Sequence, residues 1–362
     1  MGLSIETLRL TNFRNFNEKT FVFDKGITLL IGPNATGKTN TIEALQLITT
    51  GSSFRHPRLC DLLGDKEISS FIQSHVTGDG RVVDLLCLLT PTKKSFQKNT
   101  KPCTKHDIIG LYPSVLFYPD NLLVIKGSAK ERRDELDLFG SNIHKGYDNV
   151  VRTYMRTVTQ RNTLLKDGYC SDSLINAWNE SLAFGGATLL QHRLNLFSQL
   201  MPKVKEIYHE LAQSETLDIV YESTITEDIF SLSREQIQEA FFSALEKNYE
   251  EDKRRQQTLV GPHRDDICFY INNKPARTFG SQGQQRSIVL AWKMAEIEVT
   301  KNLIKTTPLL LLDDVMSELD IYRREALLNF ISRGVQTIIT STNAEPQMCK
   351  QINPAQVIRY GE

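Results

Sequence analysis

Apolar and polar residues alternate over residues 4–10, apolar side chains cluster at 21–23, and a largely apolar run fills 27–31. Alternation of period two predicts a half-buried strand, and the apolar run predicts a further strand that leads into a glycine. The spacing turns helical over 39–48, and strand-like runs return over 68–89, broken at Gly78-Asp79-Gly80 as a hairpin is. From about residue 128 to 255 glycines are few and the period is near 3.6, most clearly over 147–166, 174–201 and 233–255, so this block reads as mostly helical. After Gly261-Pro262 the strand signal resumes at 267–271 and turns at Asn272-Asn273. A helix from about Ser281, the apolar run 309–312, a helix over 321–331 and a strand over 336–340 complete the chain. The pattern predicts an α/β fold interrupted by an inserted, mostly helical lobe.

Composition narrows the picture without deciding it. With 362 residues, 40% of them hydrophobic, the chain can bury a large core and form two subdomains. Lys+Arg and Asp+Glu both number 43, so any affinity for a polyanion must come from a local patch. The 6 cysteines, Cys60, Cys87, Cys103, Cys170, Cys268 and Cys349, include no C-x-x-C pair and read as packed thiols of a reducing compartment. No basic segment followed by an apolar core opens the chain, and no apolar run is long enough to span a membrane, so a cytoplasmic location without membrane contact is expected.

The chemistry enters with Gly32-Pro33-Asn34-Ala35-Thr36-Gly37-Lys38-Thr39, which fits G-x-x-x-x-G-K-[ST] between a strand and a helix. The glycines let backbone N–H groups turn toward phosphate oxygens and the helix offers its positive end. Lys38 then meets the β and γ phosphates of ATP, and the Thr39 hydroxyl ligates Mg²⁺. Downstream, Pro308 and four leucines lead into Asp313-Asp314, the form of a buried strand that delivers carboxylates to a site. Asp313 is expected in the Mg²⁺ shell, and Asp314 where a carboxylate can orient and deprotonate the attacking water. Between these motifs, Gly280-Ser281-Gln282-Gly283-Gln284-Gln285-Arg286 reads as a helix start able to bind a γ-phosphate. The first loop already supplies one cradle, so a second suggests a second subunit. The expected division is an ATPase lobe from 1–127 and 257–362, with a helical lobe at 128–256.

With these motifs in order, the chain resembles the ABC-type ATPase heads of the SMC-like class, and within it the RecF family of bacterial DNA replication and repair proteins. The resemblance runs nearly end to end. It includes Leu10-Thr11-Asn12-Phe13-Arg14-Asn15-Phe16, Asn40 with Glu43-Ala44, Gly51-Ser52-Ser53-Phe54-Arg55, and Lys126-Gly127 with Arg132-Arg133. Further blocks are Gln160-Arg161-Asn162 with Leu164-Leu165-Lys166, and Gly261-Pro262-His263-Arg264-Asp265-Asp266. The fold it implies is an ABC-type P-loop ATPase head with a mixed sheet and an inserted helical lobe. It implies that residues 32–39, Arg14 and the partner's Ser281, Gly283 and Gln284 hold ATP, that Thr39 and Asp313 hold Mg²⁺, and that Lys38 and Asp314 serve hydrolysis. Ser317-Glu318-Leu319-Asp320 resembles the D-loop at a dimer seam. An ATP-dependent homodimer, DNA, RecO and RecR are the implied partners, with RecA loading on single strands and the SOS response as context. Ser341-Thr342 stands where many ABC ATPases carry a switch histidine, and Asp314 is one methylene shorter than the usual glutamate, so slow hydrolysis is expected. Ala129 replaces the family's proline after Lys126-Gly127-Ser128.

Two basic stretches are candidates for DNA. Residues 92–106 hold Lys93, Lys94, Lys98, Lys101 and Lys105 around Phe96 without an acid, a run that either tracks phosphates and stacks a base or protects a hairpin edge. In the helical lobe Lys145, Arg152, Arg156, Arg161 and Lys166 outnumber the acids, and Arg152 and Arg156 share a helical face. Arg55 and Arg58 face either nucleotide or DNA. His263 beside Arg264, Asp265 and Asp266 reads as structural rather than metal-binding. The functional reading is an ATP-gated DNA clamp with weak, DNA-stimulated ATPase activity. Its alternatives are a transporter ATPase subunit and an ATP-binding scaffold without turnover.

Overall fold

The computed structural model describes residues 3–167, 172–212, 214–332, 334–342 and 351–361, so Cys170 and Cys349 lie outside the described residues. The described strands in chain order are β1 Ser4–Phe13, β2 Phe16–Val22, β3 Ile27–Ile31, β4 Ser70–Gly78 and β5 Arg81–Leu89. They continue with β6 Lys94–Lys98, β7 Lys101–Cys103, β8 Ser114–Phe117, β9 Leu217–Glu222 and β10 Asp266–Ile271. The last are β11 Lys274–Pro275, β12 Leu309–Leu312, β13 Thr337–Ser341 and β14 Gln356–Arg359. Contacts divide the chain into one unit of Met1–Asn121 with Lys293–Glu362 and a second of Leu122–Trp292. Residues 257–292, which the sequence assigned to the ATPase lobe, thus group with the inserted unit by contact.

The first unit contains an antiparallel sheet of order β2-β1-β4-β5-β6-β7 and a parallel sheet of order β14-β3-β13-β12-β8. The helix Lys38–Thr50 buries Ile42, Leu45 and Ile48 in the same apolar cluster as Leu8 and Leu10 of β1 and Leu309 and Leu311 of β12. All four leucines of β12 are buried, as a parallel strand covered on both faces requires. Because β3, β13 and β12 are parallel neighbours, their C-terminal ends open on one edge, where α/β sheets place ligands. Gln336 ties this sheet to β1: its amide accepts from Ile5 N at 2.9 Å and donates to Ile5 O at 2.8 Å.

The second unit is mainly helical, with helices Ala129–Ile143, Tyr147–Asp167, Asp172–Leu211, Arg234–Lys247 and Tyr249–Arg255. The helix expected over 233–255 is two, separated at Asn248, and Ser233 starts the first with a reciprocal capping box to Gln236. The expectation of a mostly helical block does not include β9, which pairs antiparallel with β10 in a three-stranded sheet of order β11-β10-β9. That pairing is what draws residues after 256 into this unit. Arg161, expected on a basic surface, is instead fully buried: its guanidinium meets Asp252 at 2.7 Å and Asn179 at 2.8 Å. In the segment Gly261 to Asp266, Gly261, Pro262 and Asp265 are buried and Arg264 is exposed. Asp266 accepts from Arg132 Nε and Nη2 at 2.6 and 2.9 Å, and Asp265 accepts from Tyr221 and Thr224. Burial pushes the Asp265 carboxyl up from its ordinary range. Gly261 has φ of 119°, and a β-carbon there would lie 2.4 Å from Phe241, so only glycine fits. Among the described residues no helix is long and apolar enough to cross a membrane.

Candidate nucleotide site

Strand β3 ends at Ile31 and the chain wraps through a tight loop into the helix Lys38–Thr50. Ala35 and Gly37 take φ of 65° and 106°, which bends the loop back over itself. A β-carbon on Gly37 would approach Phe16 to 2.6 Å, and one on Gly32 would meet Tyr360 at 2.7 Å, so both glycines answer to space as well as to backbone geometry. Lys38 Nζ donates to the Gly32 and Pro33 carbonyls at 2.5 and 2.7 Å, and Thr36 Oγ1 donates to Pro33 O at 2.9 Å. The ammonium therefore lies inside the loop, where bound phosphates lie in such cradles. Burial lowers the Lys38 pKa from its ordinary value, and the negative charges of Asp314 and Asp313 work against that shift.

At the end of β12, Asp313 Oδ1 accepts from Thr39 Oγ1 at 3.0 Å and from Thr340 Oγ1 at 2.8 Å. Burial raises the Asp313 carboxyl above its usual range, and these two hydroxyls oppose the rise. Asp314 has φ of 57°, an uncommon conformation for a residue with a β-carbon, and its N–H donates to Thr340 Oγ1 at 2.9 Å. Its carbonyl accepts from Ser317 Oγ at 2.9 Å, so the D-loop segment starts from the same turn. Asp314, Lys38, Thr39, Gly37, Asn34 and Ala35 line a cavity of about 160 Å³. The structure thus joins two motifs separated by most of the chain.

Asn40, Arg55, Thr340 and Thr342 line this cavity too. Arg55 resolves toward the nucleotide side, its guanidinium on Asn40 Oδ1 at 2.9 Å, whereas Arg58 is exposed and paired with Asp61. Thr340 and Thr342 carried no sequence signal beyond the missing switch histidine, since a threonine at a strand end is ordinary. Arg14, expected at the nucleotide, is not among the cavity's lining residues. Its Nε and Nη2 both lie 2.9 Å from the Glu43 carboxylate and its Nη1 donates to Asp61 O at 2.6 Å. Glu43 has a fully buried side chain that also accepts from Ser53 Oγ at 2.6 Å, and a carboxylate buried in this way demands such partners.

Ser281, Gly283 and Gln284 belong to the second unit. Ser281 Oγ accepts from Gln284 N at 3.2 Å while Ser281 N donates to Gln284 Oε1 at 2.7 Å, a capping box that starts the helix Gln282–Ile304. Gln284 Nε2 donates to Glu215 Oε1 at 2.8 Å, and Gly283 O accepts from Ser287 Oγ at 3.2 Å within the first turns.

The lysine-rich run forms the β6–β7 hairpin at the edge of the antiparallel sheet. Lys93 and Lys101 are exposed and Lys98 is half-buried, but Lys94 donates to Gly51 O and burial lowers its pKa. Phe96, expected to stack on a base, is a core residue at 5% exposure because the strand alternation turns it inward. Arg152 and Arg156 are exposed on the helix Tyr147–Asp167, Arg152 with Asp148 at 3.4 Å. His263 has the structural role expected: Nδ1 lies 2.7 Å from Tyr154 Oη and Nε2 3.1 Å from Thr258 O. Since a carbonyl only accepts, Nε2 carries the proton of a neutral ring, consistent with burial pushing its pKa down to about 4. Of the thiols, Cys87 is packed as expected and pushed up to about 12 by burial, whereas Cys60 is exposed.

The RecF/RecN/SMC N terminal domain matches residues 4–359. The DNA replication and repair protein RecF of Symbiobacterium thermophilum is 37% identical over 350 residues, covering 96% of this chain and 93% of its own. RecF of Thermosynechococcus vestitus is 33% identical over 361 residues, covering 98% and 95%. The solved recombination mediator protein RecF with ATPrS superposes with a TM-score of 0.91 at 29% identity, covering 99% of this chain and 96% of that one. RecF with ATP gives 0.87 at 30% identity, covering 95% and 93%. An Smc head bound to the C-winged helix domain of ScpA shares the fold at a TM-score of 0.57 and 18% identity, covering 98% and 93%. A P-loop faced by two aspartates, an ABC-type head around it and end-to-end similarity to these proteins lead to one conclusion: the chain belongs to the RecF family of DNA replication and repair proteins.

Proposed function

We propose that the chain is an ATP-gated DNA clamp in which two copies close on two ATP·Mg²⁺, and that hydrolysis reopens it. The observation that carries this reading is the 3.0 Å bond between Asp313 and Thr39, which lines one cavity with Lys38 and Asp314. A hydroxyl and a carboxylate are the oxygen donors that Mg²⁺ accepts when phosphate and water complete its shell, so Thr39 and Asp313 would hold the ion. Bound there, the ion supplies charge neutralisation for the transferring phosphoryl group. Lys38 leaves the loop carbonyls for the β and γ phosphates, and Asp314 orients the attacking water. The Ser281 turn of a second copy completes each site. With no histidine at Thr342, turnover is slow and the activity serves to time DNA binding.

Exposed Arg152 and Arg156, with Lys93 and Lys101, are the DNA contacts of this reading, and half-buried Lys94 and Lys98 belong to the same lysine-rich run as Lys93 and Lys101. Such contacts grip phosphates without regard to sequence. Kinship with RecF proteins, two of whose solved structures are described as belonging to the RecFOR pathway, supports RecO and RecR as partners. RecA loading on gapped DNA and support of the SOS response are the cellular tasks that follow. The test is Lys38→Ala: affinity for a fluorescent ATP analogue should fall about a hundredfold as two charge-assisted contacts are lost. Undiminished binding in that variant removes the site assignment.

A further inference from the structure

The hydroxyl of Thr340 touches both aspartates at once. It donates to Asp313 Oδ1 at 2.8 Å and accepts from the backbone N–H of Asp314 at 2.9 Å. Thr340 is 1% exposed, yet its residue borders the nucleotide cavity. It stands on β13, the strand between β3, which leads into the phosphate loop, and β12, which leads into Asp313. One hydroxyl with one proton and two lone pairs can make this pair of bonds together, and no apolar side chain can make either.

Each bond has a separate consequence. Thr39 and Thr340 donate to the same oxygen, Oδ1, and Asp313 Oδ2 receives neither. The two donors fix the rotation of the carboxylate, as hydrogen bonds to a ligating group do in metal sites. The second bond occupies the N–H of a residue at φ of 57°, a conformation that persists only where neighbours over-determine it. It therefore sets the turn that aims the Asp314 side chain into the cavity.

We propose that Thr340 is a positioning residue for both aspartates, coupling the Mg²⁺-binding carboxylate to the water-orienting one through a single hydroxyl. The inference rests on the ATP·Mg²⁺ reading of this cavity and extends it to a residue that acts through the two aspartates. Valine matches threonine in shape and strand preference, so Thr340→Val removes the hydroxyl and little else. Thr340→Ser restores it.

The experiment measures binding of a non-hydrolysable fluorescent ATP analogue with and without Mg²⁺, and turnover of ATP, in wild type, Thr340→Val, Thr340→Ser and Thr340→Ala. Binding without Mg²⁺ should stay within about twofold in all four proteins, because Lys38 and the loop are untouched. The Mg²⁺ concentration giving half-maximal enhancement should rise about tenfold and kcat fall about tenfold or more in the valine and alanine variants, each step being the loss of one or two hydrogen bonds. Serine should return both to near wild type. If valine does not fold, the serine and alanine pair, which differ by one oxygen, decides the matter. Equal losses in serine and alanine, or a valine variant with wild-type Mg²⁺ response and turnover, overturn the proposal. A wild-type protein that binds no analogue defeats the ATP reading itself and is distinguished in this way from failure at Thr340.

Discussion

At the scale of single residues, position rather than residue type separates function from structure. Three buried or half-buried acids illustrate it: Glu43 serves two arginines, Asp252 serves Arg161, and Asp313 faces Thr39 with one oxygen free of both threonines. Asp314 differs from all of them in lining an open cavity. Replacing it with Asn keeps size while removing the negative charge and with it the base. Single-turnover hydrolysis should slow about a hundredfold while analogue affinity holds, the magnitude usual for loss of a general base. The nucleotide-bound dimer should also live longer, and an unchanged lifetime in sedimentation or dilution experiments removes Asp314 from its role. That the phosphate-loop helix and Asp313 meet was legible in the chain from the two motifs and their flanking apolar runs. Arg14 was not, since nothing in its neighbourhood marks Glu43 as its partner 29 positions away.

Elements explain the other departures. The sequence pattern delivered the P-loop strand and helix, the leucine strand and the helix Ile321–Ile331 at nearly their observed bounds. It lost β9 because six alternating residues between a 40-residue helix and a capped one are a weak signal, and the pairing with β10 that stabilises them is remote in sequence. Phe96 misled for a similar reason: a strand at a sheet edge still has an inward face. Within the second unit the segment around His263 makes a pH prediction. The ring is neutral in the fold, with its pKa pushed down to about 4 from an ordinary value near 6.5. Between those values the unfolded chain binds the extra proton, so this group contributes stability that is full above pH 6.5 and lost as pH falls toward 4. The loss is on the order of 3 kcal/mol. Thermal or urea denaturation from pH 7.5 to 4.5 should show that slope, reduced in His263→Gln; an unchanged slope in the variant places the titration elsewhere.

For the whole molecule, zero net charge means that DNA affinity has to be assembled from local patches of lysine and arginine. The proposed nucleotide-gated pair of copies would double whatever patch one copy offers, and link two phosphate contacts into one multivalent grip. The measurable consequence is mass. Native mass spectrometry or light scattering should report a monomer without nucleotide and a dimer with ATP·Mg²⁺, the dimer retained on DNA and dissolved by added salt. A single mass under all conditions contradicts gating by association.

The parallel sheet carries one more implication, for the order in which the chain becomes competent. Strand β3 lies far ahead in sequence of both its neighbours, β13 and β14. Tyr360 closes against Gly32 and bonds to Thr41 through its hydroxyl at 2.7 Å. A ribosome-bound fragment therefore holds the phosphate-loop sequence without the scaffold that shapes it, and long-range pairing of this kind forms late. A fragment that lacks β13 and β14 is therefore expected to bind no ATP analogue, the phosphate loop gaining its shape only when those strands have been laid beside β3.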